Sequence, residues 1–185
     1  MKNKIENNSN PDLKQRIIFV TGIIFIAAGL SVLGFFGVRK IYREYRKFQL
    51  MRENVVVEIP SVNIKAPVLE GTENEILSQA TGHFNNTGDV GAGNYCIAGH
   101  SSTIYKEYFN NLKKVSTGDE IFLYDKQKNK YVYVIDDIFI VEPNETWILQ
   151  DFDDVRVTLV TCTDDGTQRL TVVGKLSDNK KQSEK

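Results

Sequence analysis

Cysteine and histidine are scarce in this chain. Its 185 residues hold two of each: Cys96, Cys162, His83 and His100. Two cysteines are too few for a disulfide framework, so the fold must rest on an apolar core. The same scarcity narrows any nucleophile–base pairing to a few combinations of named residues. Charge of one sign is also lacking overall, with 23 Lys+Arg against 24 Asp+Glu. There is no internal repeat, and no dense acidic cluster of a calcium-binding kind; Glu70, Glu73, Glu75 and Asp89 are scattered. A hydrophobic content of 41% excludes a collagenous or wholly disordered chain.

The near-neutral total hides a division. Residues 1–52 carry ten basic and three acidic side chains, a net of +7, and the remainder carries 13 basic and 21 acidic ones, a net of −8. The acidic part, about 130 residues long, is large enough for one hydrophobic core without covalent staples. It lacks the Lys/Arg stripes that phosphate contacts need, so no nucleic-acid partner is expected.

Within the basic part, residues 17–38 read IIFVTGIIFIAAGLSVLGFFGV without a single charge. As a helix these 22 residues span about 33 Å, enough to cross a bilayer core of about 30 Å. The run is too long for the apolar region of a cleaved signal peptide and ends in Val38-Arg39-Lys40 rather than at a small-residue cleavage site. The expected organisation is an N-terminal tail over 1–16, a transmembrane anchor over 17–38 and a basic juxtamembrane linker over 39–53. A globular domain over 54–177 and a polar, disordered tail over 178–185 complete it. Four Lys/Arg precede the anchor and six follow it closely. Read literally, the positive-inside rule would put the C-terminal side in the cytoplasm.

Residues 54–177 read as short β-rich runs separated by turn signals, the pattern of a barrel or sandwich. Strands are expected at Val55–Ile59, Val62–Leu69, Asn94–Ala98, Glu120–Tyr124, Lys130–Val141, Val155–Thr161 and Leu170–Leu176. Two helices interrupt them. One follows a capping box at Thr72–Glu75, and the other runs over Thr103–Lys114 with Ser102 as its cap. Trp147 falls in a loop or short helix over Pro143–Asp154.

Cys162 lies at the end of the apolar strand VRVTLVTC, just before the turn Asp164-Asp165-Gly166. A strand end is rigid and exposed, which suits a nucleophile, and a thiol acts as its thiolate. Seven residues on, Arg169 begins the next strand, so a tight hairpin brings Cys162 and Arg169 to the same end of a sheet. Arg169 there offers a permanent charge and a fork of donors to an oxyanion. Alternation places Val160 on the face of Cys162, and Thr171 and Val173 on the face of Arg169. Either histidine could serve as proton shuttle. His100 ends the apolar strand Tyr95–Gly99 beside a helix start, a commoner catalytic position than that of His83, which reads as a structural histidine past a helix end. Cys96 reads as core, with a disulfide to Cys162 left open. Taken alone, an isolated cysteine in an apolar strand is more often a small buried hydrophobe.

Taken together, these segments resemble the sortases. Thr158-Leu-Val-Thr-Cys162 matches the family's TLxTC motif, Ile97-Ala-Gly-His100 its histidine segment, and Arg169 opens the strand where the family places its arginine. Gly82-His83-Phe84 is similar to its non-catalytic histidine motif. The resemblance implies a mainly β fold, a closed eight-stranded barrel with two short helices behind one transmembrane helix. It implies a membrane-anchored cysteine transpeptidase that cleaves an LPxTG-like signal between Thr and Gly. Cys162 would form a thioester, His100 would act as acid and then base, and Arg169 would hold the oxyanion or the signal backbone. By position, Ala98 and Thr161 flank the family's groove, and Trp147 falls in the loop that cradles the signal, making these three the expected substrate-binding residues. The implied partners are secreted proteins bearing the signal and an amine acceptor, either a peptidoglycan precursor such as lipid II or a protein amine. Membrane lipids meet the anchor, and no cofactor or metal is implied. The family's topology implies a cytoplasmic tail over 1–16 and puts the catalytic domain on the extracellular face of the cell membrane, against the flanking charges. A seven-residue Cys–Arg spacing and a compact chain, without a C-terminal membrane helix or a lid, resemble class D most, then classes A and E.

Other thiol enzymes fit worse. Papain-like chains place Cys before His, whereas His100 precedes Cys162; the caspase Q-A-C-x-G pattern and the Ser-His-Gly-Cys cluster of L,D-transpeptidases are absent. The rival from another class is a membrane-tethered, non-catalytic β-barrel that binds a cell-wall component, with Cys162 in the core.

Overall fold

A computed structural model describes residues 11–102 and 107–177. The expected tails over residues 1–10 and 178–185, and the start of the helix expected at Thr103, lie outside the described residues. Two units emerge, divided between Arg46 and Lys47.

The first unit is dominated by one unbroken helix, α1 (Pro11–Glu53), which continues past the boundary into the second. Its apolar side chains from Ile17 to Val38 are more than half exposed, and in length and composition it is a candidate membrane span. The expected linker over 39–53 is therefore helical, because nothing between Val38 and Glu53 breaks a helix: the stretch contains neither glycine nor proline.

In the second unit β-branched and aromatic residues form eight strands: β1 (Val55–Ile59), β2 (Ile64–Glu70), β3 (Thr81–His83), β4 (Asn94–Ala98), β5 (Glu120–Tyr124), β6 (Lys130–Val141), β7 (Arg156–Cys162) and β8 (Arg169–Leu176). They close into a barrel in the order β1-β2-β3-β4-β7-β8-β6-β5. Val57, Ile97, Leu123, Ile135, Leu159 and Val172 point inward and are almost fully buried. A smaller cluster forms outside the wall, where Val141, Ile148 and Val160 pack with Phe84, Phe139 and Leu149. It is roofed by the connection between β6 and β7, whose centre is a 3-10 turn at Trp147–Leu149.

Four details differ from the sequence expectation. β3 was not expected; three residues carry no periodicity, and its place is set by pairing with β2 on one side and β4 on the other. β2 begins at Ile64 because Pro60–Val62 forms a 3-10 turn closed by Asn63 in the left-handed region (φ 54). The first helix, α2 (Asn74–Leu77), is capped at Glu73 without a side-chain bond, so the Thr72 box does not form. Of the helix expected over Thr103–Lys114, the described part is a run of turns ending in a 3-10 turn at Leu112–Lys114.

Candidate active site

The alternation along β4, β7 and β8 decides which residues reach the outside of the wall. On β7, Val157, Leu159 and Thr161 share the inward face, and Thr158, Val160 and Cys162 the outward one. The parallel β4–β7 pairing sets Cys96 level with Thr158 and Ala98 level with Val160. Gly99 extends this ladder, its N–H donating to the Val160 carbonyl at 3.0 Å. Two residues beyond the last pair, the register brings His100 level with Cys162. On the other side of β7 the antiparallel register pairs Cys162 with Arg169. The next pair, Thr163 and Gln168, is joined by a backbone bond of 3.1 Å, so Cys162 and Arg169 form a non-hydrogen-bonded pair, the kind with the closer side chains. Cys162 and Arg169 thus sit side by side on neighbouring strands about 4.8 Å apart, His100 follows just past the end of the strand on the other side, and all three are half-buried.

Each is fixed by local chemistry. Beyond Cys162 the chain turns through Thr163–Gln168, where the Asp165 carboxylate accepts from the Thr163 and Thr167 hydroxyls at 2.6 and 2.8 Å. Those hydroxyl bonds hold the exposed Asp165 carboxyl down at about 2. Arg169 donates from Nη1 to the carbonyls of Gln168 (3.0 Å) and Gly166 (3.4 Å), and its other donors have no partner among the described residues. Before His100, a side chain at Gly99 would set its Cβ 2.5 Å from the Phe109 ring, so glycine is needed for that approach. Phe109 in turn donates its N–H to the His100 carbonyl at 3.1 Å.

The expected substrate-binding residues fall in three different settings. Ala98 is buried in the outer wall beside Val160. Thr161 faces inward, is 4% exposed, and donates its hydroxyl to the Gly99 carbonyl at 2.7 Å, a bond that ties the end of β7 to the residue before His100. Trp147 is 46% exposed; its ring stacks on Phe139 at 5.6 Å and its indole N–H donates to Glu145. Trp147 and Phe139 border a cavity of about 140 Å³ on the outer face, lined as well by Phe152, Arg156, Asp136 and Lys175.

The other cysteine lies on β4 and the other histidine on β3. Cys96 is fully buried, and burial pushes its thiol up to about 12. Both cysteines are free. Cys96 stands four residues back from the level of Cys162, about 13 Å along the strand, beyond disulfide reach. His83 is buried and stacked on Tyr95 at 4.2 Å; Nδ1 faces Glu70 at 2.8 Å, and Nε2 faces the Thr87 hydroxyl at 2.9 Å and the Gly88 carbonyl at 3.2 Å.

Sequence reasoning passed over Asn94. Its amide donates to the carbonyls of Ile148 and Gln150, both at 2.9 Å, and its side-chain oxygen accepts from Thr158 at 2.7 Å. These bonds pin the β6–β7 connection to the outer wall. The signal was present as a buried-pattern strand opening on a polar amide, but its partners lie more than 50 residues away.

The Sortase domain family model matches residues 57–177. Sortase A of Bacillus anthracis is 34% identical over 127 residues, 67% of this chain and 60% of that protein. Sortase A of Listeria monocytogenes is 30% identical over 127 residues, 68% of this chain and 57% of the relative. The chain therefore spans about 60% of the length of these relatives. Among solved structures, a Clostridium perfringens sortase D5 transpeptidase has a TM-score of 0.61 at 33% identity, covering 72% of this chain and 88% of that one. Listeria monocytogenes sortase A has a TM-score of 0.66 at 27% identity, with coverage of 72% and 92%. With the family match running through nearly the whole barrel, the TLxTC cysteine paired with the arginine and the Ala-Gly-His segment ending beside β7, the chain belongs to the sortase family.

Proposed function

We propose that the chain is a membrane-anchored cysteine transpeptidase acting on an LPxTG-like sorting signal. The observation that carries this is the pairing of Cys162 with Arg169 across β7 and β8, with His100 two residues past the end of β4, level with Cys162 when the β4–β7 register is extended. The Cys162 thiolate attacks the Thr carbonyl of the Thr–Gly bond, and the guanidinium donors of Arg169 stabilise the oxyanion. His100 gives a proton to the departing glycine amine as the tetrahedral intermediate collapses to a thioester. An amine acceptor, from a peptidoglycan precursor or another protein, then attacks the thioester, His100 takes up its proton, and the thiolate leaves. Ala98 and Trp147 contribute to the groove that holds the signal. Thr161, with its hydroxyl engaged by Gly99, acts by positioning the His100 backbone.

The subclass we favour is D, on the seven-residue Cys–Arg spacing and the likeness to the D5 structure. Residues 17–38 of α1 form the anchor and the barrel faces outward, where a wall-sorting enzyme meets its substrate. Protease treatment of intact cells, with loss of the barrel epitope, checks this orientation.

The decisive experiment incubates the full-length chain with LPxTG-type peptides and hydroxylamine, comparing wild type with Cys162→Ala. A hydroxamate product formed by wild type alone is expected. No cleavage of any such peptide, with Cys162 inert to a thiol-specific label in the folded protein, leaves the non-catalytic binding module as the better account.

A further inference from the structure

The helix α1 does not stop where its apolar run stops. Past Val38 it continues unbroken through Arg39, Lys40, Arg43 and Arg46, all exposed, and Glu44 is the one acidic residue over 39–46. At about 100° per residue, Arg39, Arg43 and Arg46 (i, i+4 and i+7) fall within an arc of about 60°, and Lys40 flanks it. Ile41 and Tyr45, 71% and 58% exposed, lie on the other side of the helix.

Charges scattered around a spacer would keep it solvated equally well. Gathering them on one stripe sets like charges at i, i+4 and i, i+3, which repel and weaken a helix. Neither Arg39 nor Arg43 has an ion-pair partner among the described residues to offset this. The arrangement therefore calls for an anion from outside the chain. Its position says which one. A rise of about 1.5 Å per residue puts Arg39 about 1.5 Å, Arg43 about 8 Å and Arg46 about 12 Å beyond Val38. The headgroup layer is about 5–8 Å thick on each side of the hydrocarbon core, and its charge is felt about 8–10 Å further out. The stripe starts among the lipid phosphates and ends within their field.

We infer that Arg39, Arg43 and Arg46 form a docking stripe for the headgroups of anionic phospholipids in the leaflet next to residues 39–46. This rests on the anchor reading above and is independent of the thioester chemistry. Charge complementarity and continuity with the membrane span select this occupant. A zwitterionic headgroup offers the same phosphate but cancels its charge with a cation of its own, so the stripe discriminates between the two.

The test reconstitutes three full-length proteins in vesicles of phosphatidylcholine with a minor share of phosphatidylglycerol: wild type, Arg39→Gln/Arg43→Gln/Arg46→Gln, and the matching triple Arg→Lys variant. Spin-labelled forms of the two lipids report by electron paramagnetic resonance which one the protein holds at its boundary. Wild type is expected to favour phosphatidylglycerol about 5-fold and the Lys variant nearly as much, with the Gln variant falling within about 2-fold of no preference. Salt at about 1 M, where screening shortens to about 3 Å, should remove the wild-type preference. Glutamine forms helix about as well as arginine, so unchanged circular dichroism shows that α1 is intact. Equal preference in wild type and Gln variant, or none in either, overturns the stripe. So does arginine-dependent binding of soluble inorganic polyphosphate without any preference between the lipids, which would assign the stripe to a phosphate polymer. An alkaline carbonate wash separates the stripe from the anchor. A chain that washes off lacks the anchor, and the stripe still stands if, before the wash, wild type but not the Gln variant sediments with the phosphatidylglycerol vesicles.

Discussion

Two thiol–imidazole neighbourhoods lie along this wall, Cys96 with His83 on β4 and β3, and Cys162 with His100 at the ends of β7 and β4, and they differ in almost every physical respect. Around Cys96 and His83 every polar group is closed. The thiol is buried and held protonated, and both imidazole nitrogens face fixed acceptors. Around Cys162 and His100 the groups are half-buried at strand ends, and most of the Arg169 fork has no partner among the described residues. The same residue types thus serve as scaffold in one place and as reagents in the other. Depth in the wall, rather than residue identity, makes the difference.

The largest expected effect comes from exchanging the two thiols. Cys162→Ala should lower peptide turnover at least about 10³-fold with Tm little changed, whereas Cys96→Ala should keep turnover within a few-fold and lose about 1–2 kcal/mol of stability. A maleimide titration checks the contrast independently: one thiol, Cys162, reacts in the folded protein. The histidines should divide in the same way. His100→Ala should abolish turnover to a similar degree, while His83→Ala should cost about 2–3 kcal/mol in a denaturant melt, because it opens a gap beside Tyr95 and removes the ring nitrogen that faces the Thr87 hydroxyl and the Gly88 carbonyl. Equal activity losses for the two histidine variants would erase the comparison.

Asn94→Ala is the intermediate case, since Asn94 links the closed neighbourhood to the groove. Removing its amide leaves two buried carbonyls and the Thr158 hydroxyl without partners, for a loss of about 2–4 kcal/mol, and frees the Trp147 connection so that KM rises more than kcat falls. Steady-state kinetics beside a chemical melt read both.

The smallest effect is in alkali. The Cys96 thiol ionises near 9 when unfolded and at about 12 in the barrel, and the Tyr133 hydroxyl is likewise raised, by burial, to about 12. Groups whose folded values are raised contribute stability below their unfolded values and lose it as pH climbs toward the folded ones. Stability should fall between pH 9 and 12, and Cys96→Ala should fall less steeply, leaving the tyrosine contribution. Parallel slopes for the two proteins would show that the thiol is not closed off.

Much of this was legible from the residues. Four strands, β1, β4, β5 and β6, run over the expected spans because β-branched and aromatic residues fill them and turn signals bound them, and the pairing of Cys162 with Arg169 follows from a strand end and a short hairpin. What escaped was set by distant partners. β3 is three residues long and exists through its neighbours; Asn94 looks like an ordinary strand residue until the opposite strand is known. Thr161 was expected at the groove because it lines up with residues that flank it in the sortases, and alternation turns its side chain inward. Trp147 was placed correctly in a connection, and its stacking on Phe139 could not be read from spacing.

The buried bond between Asn94 and Thr158 spans 64 positions of sequence at 2.7 Å. It works as a key that fits at one offset between two parallel strands. A slip of β7 by one residue against β4 would break it, and would also exchange every inward and outward side chain on β7. Thr161 would then meet the groove and Cys162 the hydrocarbon interior. Competence for chemistry at the rim of the barrel is thus a matter of counting, and the count is kept four residues away from the thiol that depends on it.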